Sequence, residues 1–399
     1  MGGIARELLR FFSKKELLSI ASELSSFHRI QSTEGLVRGA EFIEDALSAV
    51  DPWIEVSVRR FSYGNRFGLL GPVVGWSIND GELWLVRPSF KLLHTFNGSK
   101  TFVVAHSPGG SVEGEVVYVE KGDIPKSYED LDVEGKVVLS SGSPYATYVE
   151  ASKRGAVAVM LFREGAPPNA VPYLSLFLTP EEARAAKALA VSVSAKVAGE
   201  LRELIDRGEK PVVRIEVDAE FREPGIMPVV SALLGDGDEE IHLVAHYCHP
   251  GGTVNDNVSG SAALIELAIA FARGIRSHVF DEPSKHSIRF LWVPEHYGTT
   301  AYLSRNGKAV FSINLDMIGE KQEITGSTLN FIRPPASLLH PYEAIAYREL
   351  VKVLRSAETI SGGLRTFMIR FDTLPYSPGS DHDVYIAKGI PGSMGGCRT

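Results

Sequence analysis

The stretch HYCHPGGTVNDNVSGSAALIELA, beginning at His246, places His246, Cys248, His249 and Asp256 within eleven residues, where an apolar strand should hand over to a helix. Further on, Glu295 and His296 close SIRFLWVPEH, Asp316 closes FSINLD, and Asp381 with His382 lies in a loop flanked by Gly and Pro. Imidazole and carboxylate are donors that Zn2+ and related cations accept. Taken one at a time, these residues have ordinary readings. A histidine at a strand end is commonly hydrogen-bonded or solvated, and Asn255, Asp256 and Ser259 are all helix-capping types. Glu295 and Asp316 would serve as plain strand-terminal acids, and Cys248 as a small buried residue. Their shared position argues for chemistry, because each falls at the carboxyl end of a strand or in the loop after it. In an open α/β sheet that edge is where distant segments converge on a ligand. Imidazoles and carboxylates converging without a thiolate cluster fit a catalytic metal centre better than a structural one.

The elements that must position this edge are legible in the hydrophobic pattern. IMPVVSALLG and IHLVAHY read as strands joined across the turn DGDEE, followed by the helix SGSAALIELAIAFARG. Then come the strand SIRFLWVPE, the helix GTTAYLSRNG, the strand AVFSINLD, the helix PYEAIAYRELVKVLRSA and the strand RTFMIRF. Nearly continuous apolar strands alternating with helices predict an α/β fold, a mixed and mostly parallel sheet sandwiched by helices. The chain opens with two helical patterns, KKELLSIASELSSF and STEGLVRGAEFIEDALSAV, the second with Ser32 and Thr33 placed to cap it. From about Phe90 the texture shifts to short β runs such as TFVVAHSPGG, GEVVYVEKGD, EGKVVLSSGS and AVAVMLFREG. The expected layout is an α/β domain in two parts, 1–89 and 222–399, separated by an inserted β-rich domain over 90–221.

Bulk composition narrows the function classes. With 44% apolar and 23% charged residues, the chain is neither disordered nor collagenous. A formal charge of -8 without long basic clusters argues against nucleic acid as a partner. Only Cys248 and Cys397 are present, so no disulfide framework is implied and a reducing, cytoplasmic setting is expected. No run reads as long enough to span a bilayer, so no membrane partner is expected. Asn97 and Asn257 stand in glycosylation sequons without a secretory context. Arg6 stands where a myristoylation signal at Gly2 wants Ser or Thr. Glutamine occurs only at Gln31 and Gln322, a bias that fits a thermophile.

The motifs AHYCHPGGTVNDNVSG, VPEHYGTTAYL, INLDMIG and GSDHDVY, in this order and on these elements, resemble the cocatalytic zinc peptidases that include bacterial leucyl aminopeptidases and glutamate carboxypeptidase. The middle of the chain, through GEVVYVEKGD, YEDLDVEGKVVLSSGS and ASKRGAVAVMLF, resembles a protease-associated domain inserted in the catalytic domain. The resemblance covers most of the chain. It implies two divalent ions, Zn2+ first, with Co2+ or Mn2+ as alternatives. His246 and Asp316 would hold one ion, His296 and His382 the other, and Asp256 would bridge them. Glu295 would be the general base. Cys248, His249 and Asp381 would stand behind the ligands. The implied activity is hydrolysis of short peptides from a free amino terminus by a metal-activated water.

Three features depart from the family. His296 stands where the second acid of a Glu-Glu pair is usual, which removes one negative charge from the site. Cys248 stands where an aspartate usually orients the first histidine. The sequence ends at GSMGGCRT, where members usually continue through another strand and helix, so an edge of the fold is expected to be missing. Alternatives stay open: a carboxypeptidase, favoured by a basic pocket from Arg333, Arg365 or Arg370; a single-zinc aminoacyl cyclotransferase; or an inactive homologue with a binding role. A homo-oligomer is also compatible with the sequence.

Overall fold

The computed structural model describes residues 3–48, 50, 54–354 and 369–398, and within them the chain builds two sheets. In chain order the first eight strands are β1 (Glu55–Ser62), β2 (Gly75–Arg87), β3 (Lys91–Thr95), β4 (Gly110–Tyr118), β5 (Val137–Ser140), β6 (Ala158–Leu161), β7 (Leu189–Ser192) and β8 (Val212–Arg222). The remainder are β9 (Ile226–Leu234), β10 (Glu239–His246), β11 (His286–Val293), β12 (Ala309–Leu315), β13 (Thr328–Ile332), β14 (Phe371–Leu374) and β15 (Gly392–Arg398).

An eight-stranded sheet has the order β1-β9-β11-β10-β12-β15-β13-β14. β10 is parallel to both β11 and β12, and β12 is parallel to β15. Antiparallel pairs bring in β1 and β9 on one side and β13 on the other. The strands β9 and β10, expected as neighbours across their short turn, are separated by β11. Two parallel partners place β10 inside the sheet, with Val244, Ala245 and His246 buried, and an apolar strand gains more there than at a hairpin edge.

The helix Gly260–Arg276 packs against this sheet and is covered on its outer side by the helices Gly3–Phe11, Lys14–Ser26 and Glu34–Ser48. Leu264, Ile265, Ala268 and Ala272 are buried on it. This position corrects one expectation. Val254–Arg276 is long and apolar enough to cross a membrane by length and composition, yet its apolarity is used inside the protein. Thr33 fulfils its expected capping role, its Oγ1 accepting the Leu36 N–H at 3.3 Å.

The seven-stranded sheet has the order β3-β2-β8-β4-β5-β6-β7, with β4 to β7 parallel. It spans residues 75–222 and so takes in β2, ahead of the change in texture at Phe90. β2 belongs there because it pairs along its length with β8, a partner more than a hundred residues away that local pattern cannot reveal. TFVVAHSPGG is not a strand: β4 starts only at Gly110, and the preceding residues turn back on themselves with His106 at φ +65.

Candidate metal centre

Because β11, β10 and β12 are adjacent and parallel, their carboxyl ends lie side by side. His246 is the last residue of β10, Asp316 directly follows β12, and Glu295 lies two residues beyond β11. Asp256 comes from the turn into the helix Gly260–Arg276. Asn257 locks that turn: its Oδ1 accepts the N–H groups of Gly260 and Met317, each at 3.1 Å, and its Nδ2 donates to Leu315 O at 2.8 Å. Asn257 therefore does the capping, and the Asp256 carboxylate is turned toward the histidines.

His246 Nε2 stands 3.3 Å from Asp316 Oδ1, 3.4 Å from Asp256 Oδ1 and 4.0 Å from Glu295 Oε1. His249 Nε2 lies 3.5 Å from Asp256 Oδ2. Both His246 and Asp316 are buried, and neither His246 Nε2 nor Asp316 Oδ1 has a hydrogen-bond partner. A buried polar atom left unbonded costs about 1–3 kcal/mol. A cation among these atoms would satisfy both, and the imidazole and carboxylate donors suit Zn2+, Co2+ or Mn2+. The residues present thus fit a divalent metal.

The other face of His246 meets sulfur. Cys248 Sγ lies 3.8 Å from His246 Nδ1 and 3.7 Å from His249 Nδ1, and accepts the Glu295 N–H at 3.2 Å. Cys248 thus stands behind His246, where the family usually has an aspartate, and joins the β10 and β11 ends through one atom. The charges are strongly coupled. Burial alone would lower the pKa of His246, but Glu295 and Asp316 lift it well above its ordinary value. Burial is likewise outweighed at His249, which Asp256 carries up to about 9. Burial raises Glu295 above the usual carboxylate range despite the imidazoles beside it. At Asp316 burial would raise the pKa, and His246 holds it below the usual range instead. Such a field attracts positive charge.

Among the described residues, the atoms that close into metal-sized groups are those of His246, Asp256 and Asp316, and those of His246, Cys248, His249 and Glu295. His296 and His382 stand outside both groups. His296, partly exposed at φ +56, brings Nε2 to 3.7 Å from Glu295 Oε1. His382 is buried with Nε2 3.0 Å from Ser377 O and 3.4 Å from Asp383 Oδ1. Asp381 links the two segments, its Oδ1 accepting the His296 N–H at 2.8 Å and the Thr299 hydroxyl at 2.5 Å.

Sequence reasoning missed several residues here. Arg29 is fully buried among carbonyls, donating to Tyr247 O and Phe27 O at 2.6 Å and to Leu24 O. Its main chain bonds His249 in both directions, so it pins the HYCH segment. Burial lowers its pKa to about 10, which leaves it cationic at neutral pH. Gln31 donates to Glu295 O at 3.3 Å, and Tyr173 packs edge-on against His249. None of these has a sequence signature, because each acts through a tertiary contact. The basic residues proposed for a carboxylate pocket have other partners: Arg333 pairs with Glu343, and Arg370 with Gln322 O. Arg365 lies outside the described residues.

The family described as a domain of unknown function, DUF4910, matches residues 46–328. The chain belongs to the DUF4910 family. Its match takes in His246, Asp256, Glu295, His296 and Asp316 and stops short of His382. Among solved structures, this DUF4910 chain is similar to a zinc aminopeptidase from Bacillus subtilis, with a TM-score of 0.65 and 16% identity over 97% of this chain and 85% of that one. It is also similar to a Peptidase M28 precursor from Shewanella amazonensis, with a TM-score of 0.69 and 15% identity over 98% and 86% of the two chains. An aminopeptidase from Aneurinibacillus gives a TM-score of 0.61 and 18% identity over 98% and 86%. At these identities the likeness establishes a zinc-aminopeptidase-like fold. A Clostridium acetobutylicum protein, whose description pairs polysaccharide biosynthesis with an aminopeptidase-like domain, is 34% identical over 84 residues. That match spans 21% of this chain and 17% of the relative.

Proposed function

We propose that this DUF4910 protein is a metal-dependent peptidase acting on short peptides from a free amino terminus. The observation that carries the reading is the pair of buried, unbonded atoms His246 Nε2 and Asp316 Oδ1, 3.3 Å apart and faced by Asp256 and Glu295. Two divalent cations, one held by His246, Asp256 and Asp316 and the other by Asp256, His296 and His382, would supply Lewis acidity for an attacking water and a scissile carbonyl.

The chain's own groups do the rest. Glu295, whose carboxyl pKa burial raises, is placed beside His246 to take a proton from water and return it to the departing amine. Cys248 and Arg29 hold the β10 end, and Asp381 holds the Glu295–His296 turn. Segment 173–177, in the loop between β6 and β7, packs on His249 and Tyr297 beside the donors and favours short substrates. Among the described residues, the two candidates for a terminal-carboxylate pocket, Arg333 and Arg370, are engaged elsewhere, which favours the amino-terminal reading.

The test is metal content per chain by elemental analysis, for the wild type and Asp256→Ala, alongside hydrolysis of a panel of aminoacyl amides. About two metals with hydrolysis, both lost in the variant, are expected. A folded wild type that binds no metal and cleaves no amide after Zn2+ or Co2+ addition would overturn the reading.

A further inference from the structure

The segment between β6 and β7 leaves its own sheet and crosses to the metal centre. At one end Tyr173 packs against His249, ring centroids 4.9 Å apart at 66°. Four residues on, Phe177 stacks on Tyr297 at 6.3 Å and 23°. Tyr297 follows Glu295 by two positions and donates its N–H to Glu295 O at 2.6 Å. The segment therefore touches both His249 and the turn that follows Glu295.

Phe177 combines two costly features. The residue is 39% exposed, and its φ is +48. A bulky residue in left-handed backbone costs on the order of 1–3 kcal/mol and persists only where its surroundings hold it. A ring this exposed recovers little of that by burial. The hold is a chain of hydrogen bonds. The Phe177 N–H donates to Ser175 Oγ at 3.3 Å, Ser175 Oγ lies 3.1 Å from His106 Nδ1, and His106 Nε2 lies 3.1 Å from Gln31 O. Gln31 then donates to Glu295 O at 3.3 Å. Donor logic assigns the protons. Gln31 O only accepts, so His106 Nε2 carries hydrogen and Nδ1 accepts from Ser175, whose oxygen remains to accept from Phe177. The strained aromatic is thus tied, through a fully buried histidine, to the backbone of the proposed base.

This arrangement spends strain to present flat rings at the edge of the site. We propose that Tyr173, Phe177 and Tyr297 wall a subsite for the first side chain of the substrate, and that the subsite selects aromatic over aliphatic residues. Phe177 stacks on Tyr297 and also meets His106 at 5.7 Å, and the exposed part of its ring is the surface offered to an incoming ring, a contact that gains beyond its buried area. The inference rests on the peptidase reading above and adds a specificity to it.

The experiment compares kcat/KM of the metal-loaded wild type, Phe177→Ala, Phe177→Tyr and Phe177→Gly on phenylalanine, leucine and alanine amides. Phe177→Ala should lower kcat/KM on phenylalanine amide about ten-fold, through KM with kcat nearly unchanged, and leave alanine amide alone. Phe177→Tyr should retain the preference. Phe177→Gly removes both ring and strain, so it should fold at least as well as the wild type and still lose the preference. Equal losses on all three amides, or no change in their ratio, would overturn the subsite while leaving the peptidase reading intact. A wild type that cleaves none of them would overturn both.

Discussion

Both sheets present a row of parallel strand ends, and the ends of β5 and β7 differ from those of β10 and β12 in what their buried polar atoms do. In the seven-stranded sheet, β5 ends at Ser140 and β7 at Ser192, both fully buried. Ser140 Oγ accepts the N–H groups of Gly122 at 2.9 Å and Gly142 at 3.1 Å, and Ser192 Oγ donates to Pro172 O at 2.7 Å. In the eight-stranded sheet, β10 ends at His246 and β12 is followed by Asp316, buried to the same degree. There Nε2 and Oδ1 face each other unbonded. Edge geometry is common to both rows, so it creates an opportunity only. Side-chain atoms left unspent by the local main chain are what distinguish a site.

The largest effect expected is at Glu295. Glu295→Gln keeps shape and hydrogen-bonding capacity but removes the base, so kcat should fall about 10²–10⁴-fold with metal content unchanged. Loss of metal together with rate would instead make Glu295 a ligand and extend the unspent set to the β11 end.

A second prediction contrasts two buried histidines. Unlike His246, His106 has both ring nitrogens bonded, and burial lowers its pKa to about 4. Its unfolded value is near 6.5. The unfolded chain therefore takes up the proton first as pH falls. The stability held by neutral His106 is complete above about pH 6.5, declines between 6.5 and 4, and is lost below. The loss should be on the order of 3 kcal/mol. Urea denaturation at pH 7, 5 and 4 should show a shallower decline for His106→Gln than for the wild type. His28, also pushed down to about 4, would supply a residual slope. Identical declines would mean that His106 is spent no more fully than His246.

The sequence disclosed one side of this comparison far better than the other. Ligand-type residues at strand ends, the apolar strands β10, β11 and β12, and the Thr33 cap are local signals, and local signals survive folding. The pairing of β2 with β8 and the insertion of β11 between β9 and β10 depend on partners far apart in the chain. Tyr173, Phe177, Gln31 and Arg29 were invisible for the same reason, since an aromatic in a Pro-rich stretch or a lone arginine has no period or spacing to betray it. His296 and His382 are assigned by motif to a second ion, and they stand apart from the groups formed around His246. Motif order carries no information on side-chain direction.

The smallest effect belongs to the quiet edge. Ser140→Ala leaves the Gly122 and Gly142 N–H groups without their shared acceptor, at a cost of about 1–3 kcal/mol. Thermal melting should therefore show a lower midpoint, while metal content and kcat of the folded fraction stay at wild-type values. A change in metal content on losing Ser140 would mean that the two strand-end rows are coupled, and that satisfied polar atoms at one edge help to set the chemistry at the other.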